Sequence, residues 1–233
     1  MPMDRTSVPE SGAKLKLVEA AESLFAERGF EAVSVRDITK LAAMNIASVN
    51  YHFGSRDGLV AAVMTRYVTP INEERLARLE VLERRWAGKV VPLEEVLEAF
   101  VRPLVTQVRR SELSEKLFLK LVGRMFGEQG TAMTPPLEEQ FKTVVSRFVK
   151  ALSKSLPDLP TDEILWRMHF VVGAMYHAMS QEEVLQRISQ GACGNPSVET
   201  TLSRFSRFAA AGLRNGLETD VVAPKGPQAT FDF

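Results

Sequence analysis

The sequence predicts an all-α protein, and three observations support this fold class. Apolar residues recur at intervals of three and four along most of the 233 residues, which is the spacing of one face of an α-helix. Runs that alternate apolar and polar residues, the pattern of a half-buried strand, are scarce. Segments rich in glycine and proline at 127–136 and 157–160 read as loops between helical stretches.

Composition indicates a soluble globular protein. The hydrophobic fraction is 45%, and 29 basic residues balance 29 acidic ones, so overall charge points to neither nucleic acid nor membrane. The single cysteine, Cys193, excludes a framework of internal disulfides and fits a reducing compartment. The N-terminus lacks the apolar run of a signal peptide, and the segment FVVGAMYHAM is too short and too polar to span a bilayer. We therefore expect a cytoplasmic protein.

The first two helices are expected before residue 43. The first has an apolar stripe and ends at Gly29, because glycine readily adopts the left-handed conformation that terminates helices. Ser34 starts the second helix, and Asp37 three residues later completes a box-like cap. The stripe of the first helix is Leu17, Ala20, Ala21, Leu24 and Phe25. The expected buried face of the second is Val35, Ile38, Leu41 and Ala42.

The third helix is expected from Ile46 to Phe53, with Asn45 as its N-cap and Gly54 at its end. At about 100° per residue, its apolar residues share one stripe and should pack on the first two helices. That stripe is Ile46, Val49 and Phe53. The opposite face consists of Ala47, Ser48, Tyr51 and His52, with Asn50 on the flank.

This region excludes negative charge. No Asp or Glu occurs from Ile38 to Arg56, although Asp37 and Asp57 border the segment. Two short helices behind a longer one form a helix-turn-helix unit, and an acid-free polar face suits phosphates and base edges of DNA. An ordinary solvated helix face is the alternative. The residues expected to contact DNA are Arg36, Asn45, Ala47, Ser48, Asn50, Tyr51, His52 and Arg56.

A fourth helix should follow Ser55, with a break or kink at Thr69–Pro70, because proline removes a hydrogen bond and clashes with the preceding turn. Its inward residues are Leu59, Val60, Val63, Met64 and Tyr67. Later helices are expected at roughly 92–109, 112–128, 134–155, 161–190 and 197–217. The expected domains are a flexible N-terminus (1–10), the helix-turn-helix domain (11–68), a helical effector-binding and dimerisation domain (69–217) and a disordered tail (218–233).

The segments AAESLFAERGFEAVSVRDI and YHFGSRDGL resemble the N-terminal domain of TetR-family transcriptional regulators. The resemblance implies a homodimeric regulator, a repressor of a double-stranded DNA operator, whose C-terminal domain binds a small effector. Two positions depart from the family pattern. Ala43 replaces the usual glycine, which predicts a turn without positive φ. Asn50 replaces the usual tyrosine, so either Tyr51 or Asn50 takes over its phosphate contact.

A further resemblance concerns the effector. VNYHFGSR, LPTDEILWRMHFVVGAMYHAMS and FSRFAAAGLR are similar to the fatty-acid-responsive PsrA-type branch, which implies a fatty acid or acyl-CoA. Methionine and aromatic residues on the middle helices could line an apolar pocket, although most could equally fill the core. The expected pocket residues are Phe118, Leu121, Met125, Phe148, Trp166, His169 and Phe170. Candidate headgroup donors are Arg102, Arg124, Arg167 and His169.

The apolar helices 161–180 and 198–216 are expected to form a four-helix dimer interface. On the second of them, the apolar residues expected at this interface are Leu202, Phe205, Phe208, Ala209 and Leu213. The sequence contains no G-x-S-x-G, P-loop, dinucleotide fingerprint or H-E-x-x-H. We therefore expect no catalytic residues, no cofactor and no metal. An enzyme or binding protein for acyl ligands, and a helical adaptor, are the alternatives.

Overall fold

The computed structural model describes residues 10–111, 113–127, 134–180, 182–194 and 196–215. Within these ranges all regular secondary structure is helical, which confirms the expected all-α class. The helices are α1 (Glu10–Arg28), α2 (Val35–Leu41), α3 (Ile46–Phe53), α4 (Arg56–Arg85), α5 (Leu93–Arg110), α6 (Glu115–Gly127), α7 (Pro135–Ser155), α8 (Thr161–Ser180), α9 (Glu182–Ile188) and α10 (Val198–Arg214).

Most expected helices are found with small shifts of their ends. The stretch expected as one helix at 161–190 is helical as α8 and α9, and Gln181 between them lies outside the described residues. The N-terminal segment before Glu10 and the tail after Asn215 lie outside the described residues. In the described part of the chain, no helix is both long and apolar enough to cross a membrane.

The helices group into two compact units. The first contains α1, α2, α3, α4 up to Val68, and α6; the second contains the rest of α4, α5 and α7 to α10. The division at Val68 falls where the domain boundary was expected. In contrast to the expected second domain, however, α6 lies in the first unit, where it packs along α1. The ring of Phe118 on α6 meets that of Tyr67 on α4 at a centroid distance of 5.3 Å.

The helix α4 continues through Pro70 for 30 residues, so the expected break at this position is wrong, while the alternative of a kink stays a prediction. Proline removes one backbone hydrogen bond, yet the residues on both sides of it are held by packing. Tyr67, Val68 and Ile71 are all buried. Burial of each such side chain contributes about 1.5 kcal/mol or more. The three together offset the cost of an internal proline, about 3 kcal/mol.

A buried ion pair connects α1 to α4 in the first unit. Glu22 is buried, and its Oε1 lies 3.3 Å from Nη1 of Arg66. Burial, together with the negative charge of Glu22, raises the pKa of the neighbouring Tyr67 hydroxyl. Tyr67 therefore remains neutral, and the guanidinium of Arg66 offsets the charge of the buried Glu22 carboxylate.

The turn between α2 and α3 contains a residue in the left-handed conformation. Ala43 has φ of 54°, so the expectation of a turn without positive φ is wrong. The chain must reverse direction within a few residues, and Met44 N donates to Thr39 O at 2.8 Å to close this turn. An L-residue with a Cβ pays roughly 1–2 kcal/mol for this conformation.

Replacement of Ala43 by glycine is expected to raise the free energy of unfolding by about 0.5–1 kcal/mol. The relief of backbone strain outweighs the free-energy cost of the greater conformational entropy of glycine in the unfolded chain, which is about 0.4–1 kcal/mol. Urea unfolding followed by circular dichroism measures the change. Ala47→Gly, in the interior of α3, is the matched control and should lower stability by roughly 0.5–1 kcal/mol. Equal destabilisation by both substitutions would contradict the assignment of strain to Ala43.

Candidate nucleic-acid interface

The start of α2 is fixed by the reciprocal cap that the sequence predicts. Oγ of Ser34 accepts a hydrogen bond from Asp37 N at 3.2 Å, and Oδ2 of Asp37 accepts one from Ser34 N at 2.9 Å. The hydroxyl of Ser34 also donates to the same carboxylate oxygen. These bonds lower the pKa of Asp37. The carboxylate that borders the acid-free segment on its N-terminal side is therefore held at its own helix terminus.

The third helix, α3, begins and ends at the expected residues. Oδ1 of Asn45 accepts hydrogen bonds from the backbone N–H of Ser48 at 3.0 Å and from its hydroxyl at 3.2 Å. At the other end, Gly54 has φ of 74° and donates to Asn50 O at 2.9 Å. Val49 is fully buried and anchors the helix on the core. Because both ends are capped, the exposed face of this short helix is held in a defined orientation.

The face expected to contact DNA is open to solvent. Tyr51 is 74% exposed, and Ala47, Asn50 and Arg36 are also exposed. His52 is half-buried, and its ring lies edge-on to that of Tyr51 with a centroid distance of 4.9 Å. This edge-on contact between the two rings restricts both side chains. Among the residues expected on this face, Tyr51 therefore projects an aromatic ring and a hydroxyl group to solvent.

The apolar stripes of α2 and α3 are narrower than expected. Leu41 is 56% exposed and Ile46 is 44% exposed, although both were expected to be buried. Leu41 is the last residue of α2 and Ile46 the first of α3, so neither is covered by a following or preceding turn of its own helix. Helical periodicity identifies the side of the helix but not whether a neighbour covers its end.

Arg56 binds the backbone of its own domain. Its Nε donates to Val33 O at 3.1 Å, and its Nη2 donates to Phe30 O. Nη1 lies 3.7 Å from a carboxylate oxygen of Asp57. The side chain expected to contact phosphate thus fixes the loop between α1 and α2 to the start of α4. This role was missed because the bonded residues are distant in sequence.

Arg56→Ala is expected to lower the free energy of unfolding by about 1.5–3 kcal/mol, because two backbone carbonyls lose a charged donor. Thermal and urea unfolding of the full chain measure the effect. Arg36→Ala is the matched control, since it removes an exposed cation from α2 and should change stability by less than about 0.5 kcal/mol. If the Arg56→Ala protein is as stable as wild type but binds all DNA sequences more weakly, the result would instead support the expected phosphate contact of Arg56.

The residues expected to line an effector pocket belong to both compact units. Phe118, Leu121 and Met125 are buried in the first unit. Phe148 is buried in the second unit, where its ring meets that of Phe100 at 5.1 Å. Trp166, His169 and Phe170 are exposed on α8. The expected single pocket stays a prediction, because periodicity does not show which helix covers an apolar face.

The arginines considered as headgroup donors already have partners. Arg102 pairs with Glu98 and Glu199. Arg167 bonds Glu163 and the carbonyls of Gly212 and Leu213. Arg124 donates to Glu27 O at 3.2 Å. In the described ranges, no group of three His, Cys, Asp or Glu side chains is placed to hold a metal ion.

Comparison with known proteins finds two matching families. Residues 17–63 match "Bacterial regulatory proteins, tetR family", and residues 98–212 match "Tetracyclin repressor-like, C-terminal domain". The HTH-type transcriptional repressor KstR2 of Rhodococcus jostii (strain RHA1) is 37% identical over 67 residues, which are 29% of this chain and 32% of that protein. The HTH-type transcriptional repressor Rv3405c of Mycobacterium tuberculosis (strain ATCC 25618 / H37Rv) is 35% identical over 85 residues, 35% of this chain and 45% of that protein.

These alignments span less than half the length of either relative. Solved structures extend the similarity to most of the chain. HlyIIR, a hemolysin II transcriptional regulator, has a TM-score of 0.57 at 15% identity and covers 89% of this chain and 99% of its own. The fatty acid degradation regulator FadR from Bacillus halodurans has a TM-score of 0.52 at 13% identity, over 91% and 98%. At these identities the likeness concerns the fold.

Proposed function

Because this chain belongs to the TetR family of bacterial regulatory proteins, we propose that it is an effector-responsive, homodimeric repressor that binds a palindromic DNA operator in the cytoplasm. Its assignment to a family of regulators confirms that it is not an enzyme. The observation that carries the proposal is the capped, acid-free and exposed face of α3.

The recognition element in this proposal is α3, with Tyr51, His52 and Asn50 as the base- and phosphate-contacting side chains. Hydroxyl, amide and imidazole groups can bond base edges or phosphate oxygens. The small side chains of Ala47 and Ser48 permit close approach of the helix to the groove. Electrostatic repulsion between this surface and the DNA phosphates is low, because the segment from Ile38 to Arg56 has no carboxylate.

Dimerisation is supported by an exposed face on two adjacent helices of the second unit. α8 and α10 pack on each other. The exposed residues of α8 include Trp166, Phe170 and Gly173, and those of α10 include Phe208, Ala211 and Gly212. Large aromatic side chains beside small ones suit close packing against an identical face, in which two copies contribute four helices. We name this surface the α8/α10 face.

The inner side of α10 differs from the expected interface. Leu202, Phe205, Ala209 and Leu213 were expected to face a second copy, but they are buried within their own unit. Only Phe208 of that predicted set is exposed. The helix is apolar on two sides, one of which completes the subunit core. The α8/α10 face therefore depends on residues that the periodic pattern did not separate from the core.

The proposed effector is a small apolar molecule of one of two classes, a fatty acid or an acyl-CoA. Support comes from the similarity of three segments to the PsrA-type branch and from the apolar helices of the second unit. FadR, a protein of similar fold, is named as a regulator of fatty acid degradation. A long acyl chain gains about 0.8 kcal/mol for each buried methylene, so chain length should control affinity.

The test is a gel-shift experiment with DNA flanking the gene of this protein. We expect a complex on a palindrome whose half-site centres lie about 34–36 Å apart. Fatty acids and acyl-CoAs of increasing length are then titrated into the complex, and release should strengthen with chain length. Absence of any sequence-specific complex would overturn the proposed repressor. Release by a compact polar effector alone would overturn the apolar ligand while leaving DNA binding intact.

A further inference from the structure

An arginine without a carboxylate partner lies in the interior of the second unit. Arg75 on α4 is only 3% exposed. In the part of the chain that the structure describes, no carboxylate lies within salt-bridge distance of it. Lysine or histidine in such a position could lose its proton, but a guanidinium remains charged at every physiological pH. The interior of this unit thus contains a permanent positive charge.

The partners of Arg75 are all neutral. Its Nε donates to Phe100 O at 2.8 Å, and its guanidinium carbon lies 4.0 Å from the centroid of the Phe100 ring. Nη1 donates to Oδ1 of Asn72 at 3.2 Å. Tyr176 lies beside Arg75, and burial raises the pKa of its hydroxyl, which keeps it uncharged. These contacts hold the guanidinium but do not neutralise it.

Two buried donors in the same cluster have no hydrogen-bond partner. They are Nη2 of Arg75 and Nδ2 of Asn72. The two residues lie three apart on α4 and are bonded to each other through Nη1, so their free donors belong to one site. Buried donors are nearly always satisfied in folded proteins. Two unsatisfied donors beside an unpaired charge therefore indicate a place for an acceptor.

A purely structural role explains only part of this arrangement. Pro103 lies inside α5 and leaves the carbonyl of Ala99 without its helical donor. The bond from Arg75 Nε to the adjacent carbonyl, that of Phe100, fastens this turn of α5 to α4. This role requires neither the second terminal nitrogen nor the amide of Asn72. The unsatisfied donors remain to be accounted for.

We propose that Arg75 and Asn72 bind the carboxylate of the effector, which is therefore an apolar monocarboxylic acid; this inference rests on the proposed function. One carboxylate oxygen accepts from Nη2 of Arg75 and the other from Nδ2 of Asn72. Charge-assisted bonds of this kind are the strongest in proteins. The neighbouring rings of Phe100, Phe148 and Tyr176 supply an apolar surrounding for the carbon chain.

The same site discriminates against other headgroups. An acyl-CoA has a thioester in place of the free carboxylate, and its several phosphates require more cations than this cluster offers. A groove of about 380 Å³ between α5 and α10 is a poorer alternative for an anionic ligand, because Glu94, Glu95 and Glu98 outnumber Arg102 and Arg207 in its lining. The cluster around Arg75 therefore selects a free carboxylate.

The experiment measures binding of palmitic acid, its methyl ester and palmitoyl-CoA to the full chain by isothermal titration calorimetry. Wild type should bind the acid about 10–100-fold more tightly than the ester, as expected for a charged hydrogen-bonded pair. Arg75→Met should remove this preference while leaving ester binding unchanged. Arg75→Lys should restore part of it. Arg78→Met is the matched control, because Arg78 already pairs with Glu74 at 2.7 Å, and it should behave as wild type.

Two further readouts keep the outcomes distinct. Asn72→Leu removes one donor without removing the charge, so it tests the site if Arg75→Met does not fold. Arg75→Met should still bind the operator but should no longer be released by the acid. A wild-type protein that binds acid and ester equally, or binds neither, would overturn the carboxylate site. Failure of the wild-type protein to bind any operator would overturn the repressor proposal. Tighter binding of the acid than of the ester would still support the carboxylate site in that case.

Discussion

Replacement of Tyr51 by alanine is expected to abolish specific operator binding without loss of the fold. The side chain is 74% exposed on α3, so its removal leaves no cavity in the core. Each lost specific contact costs about 1–3 kcal/mol, and a dimer loses it twice, which gives roughly 30- to 10,000-fold weaker binding. His52→Ala should have a similar effect, since the His52 ring contacts that of Tyr51 edge-on. Fluorescence anisotropy with operator and scrambled DNA at one salt concentration measures this loss.

Two variants serve as controls for the DNA interface. Tyr51→Phe retains the ring and separates its packing from the hydroxyl contact. Val81→Ala changes an exposed apolar residue of α4 in the other unit and should leave binding unchanged. Unchanged operator affinity in both Tyr51→Ala and His52→Ala would show that α3 is not the recognition helix.

Phe208→Asp is expected to convert the dimer to a monomer at micromolar concentration. Phe208 is 68% exposed in the subunit, so the charge is tolerated by the isolated fold but not within an isologous interface. Truncation of a central interface residue costs about 2–4 kcal/mol, and symmetry doubles the loss, so the dimer dissociation constant should rise at least 1,000-fold, by roughly 4 kcal/mol or more. Light scattering coupled to size-exclusion chromatography reports the mass directly.

The control for this substitution is Ile188→Asp. Ile188 on α9 is 75% exposed and lies outside the α8/α10 face. This variant should remain a dimer and bind the operator as wild type does. Persistence of the Phe208→Asp dimer, or equal dissociation of both variants, would exclude the α8/α10 face as the interface.

The sequence predicted local structure better than contacts between distant segments. α3 begins and ends at the expected residues because its signals, Asn45 and Gly54, act within one turn of the helix. The cap formed by Ser34 and Asp37 is local in the same way. Ala43 was misread although the turn is local, because a positive φ is less common for alanine than for glycine.

Features that depend on distant residues were missed. Arg56 bonds carbonyls 23 and 26 residues away, and Arg75 bonds a carbonyl 25 residues away. Neither partner leaves a periodic signal in the sequence. For the same reason, apolar periodicity did not indicate that α6 packs along α1 or that Trp166 and Phe170 are exposed. A stripe shows that a face is apolar, but the fold decides what covers it.

The reciprocal cap of α2 has a consequence for how the protein finds its target. With the carboxylate of Asp37 held by Ser34, the α3 face avoids repulsion, yet the chain as a whole carries no net charge. Weak long-range attraction to random DNA means short residence on non-target sequences and a limited sliding length. We therefore expect the search to proceed mainly by repeated dissociation and three-dimensional diffusion, with recognition contacts that form only after docking.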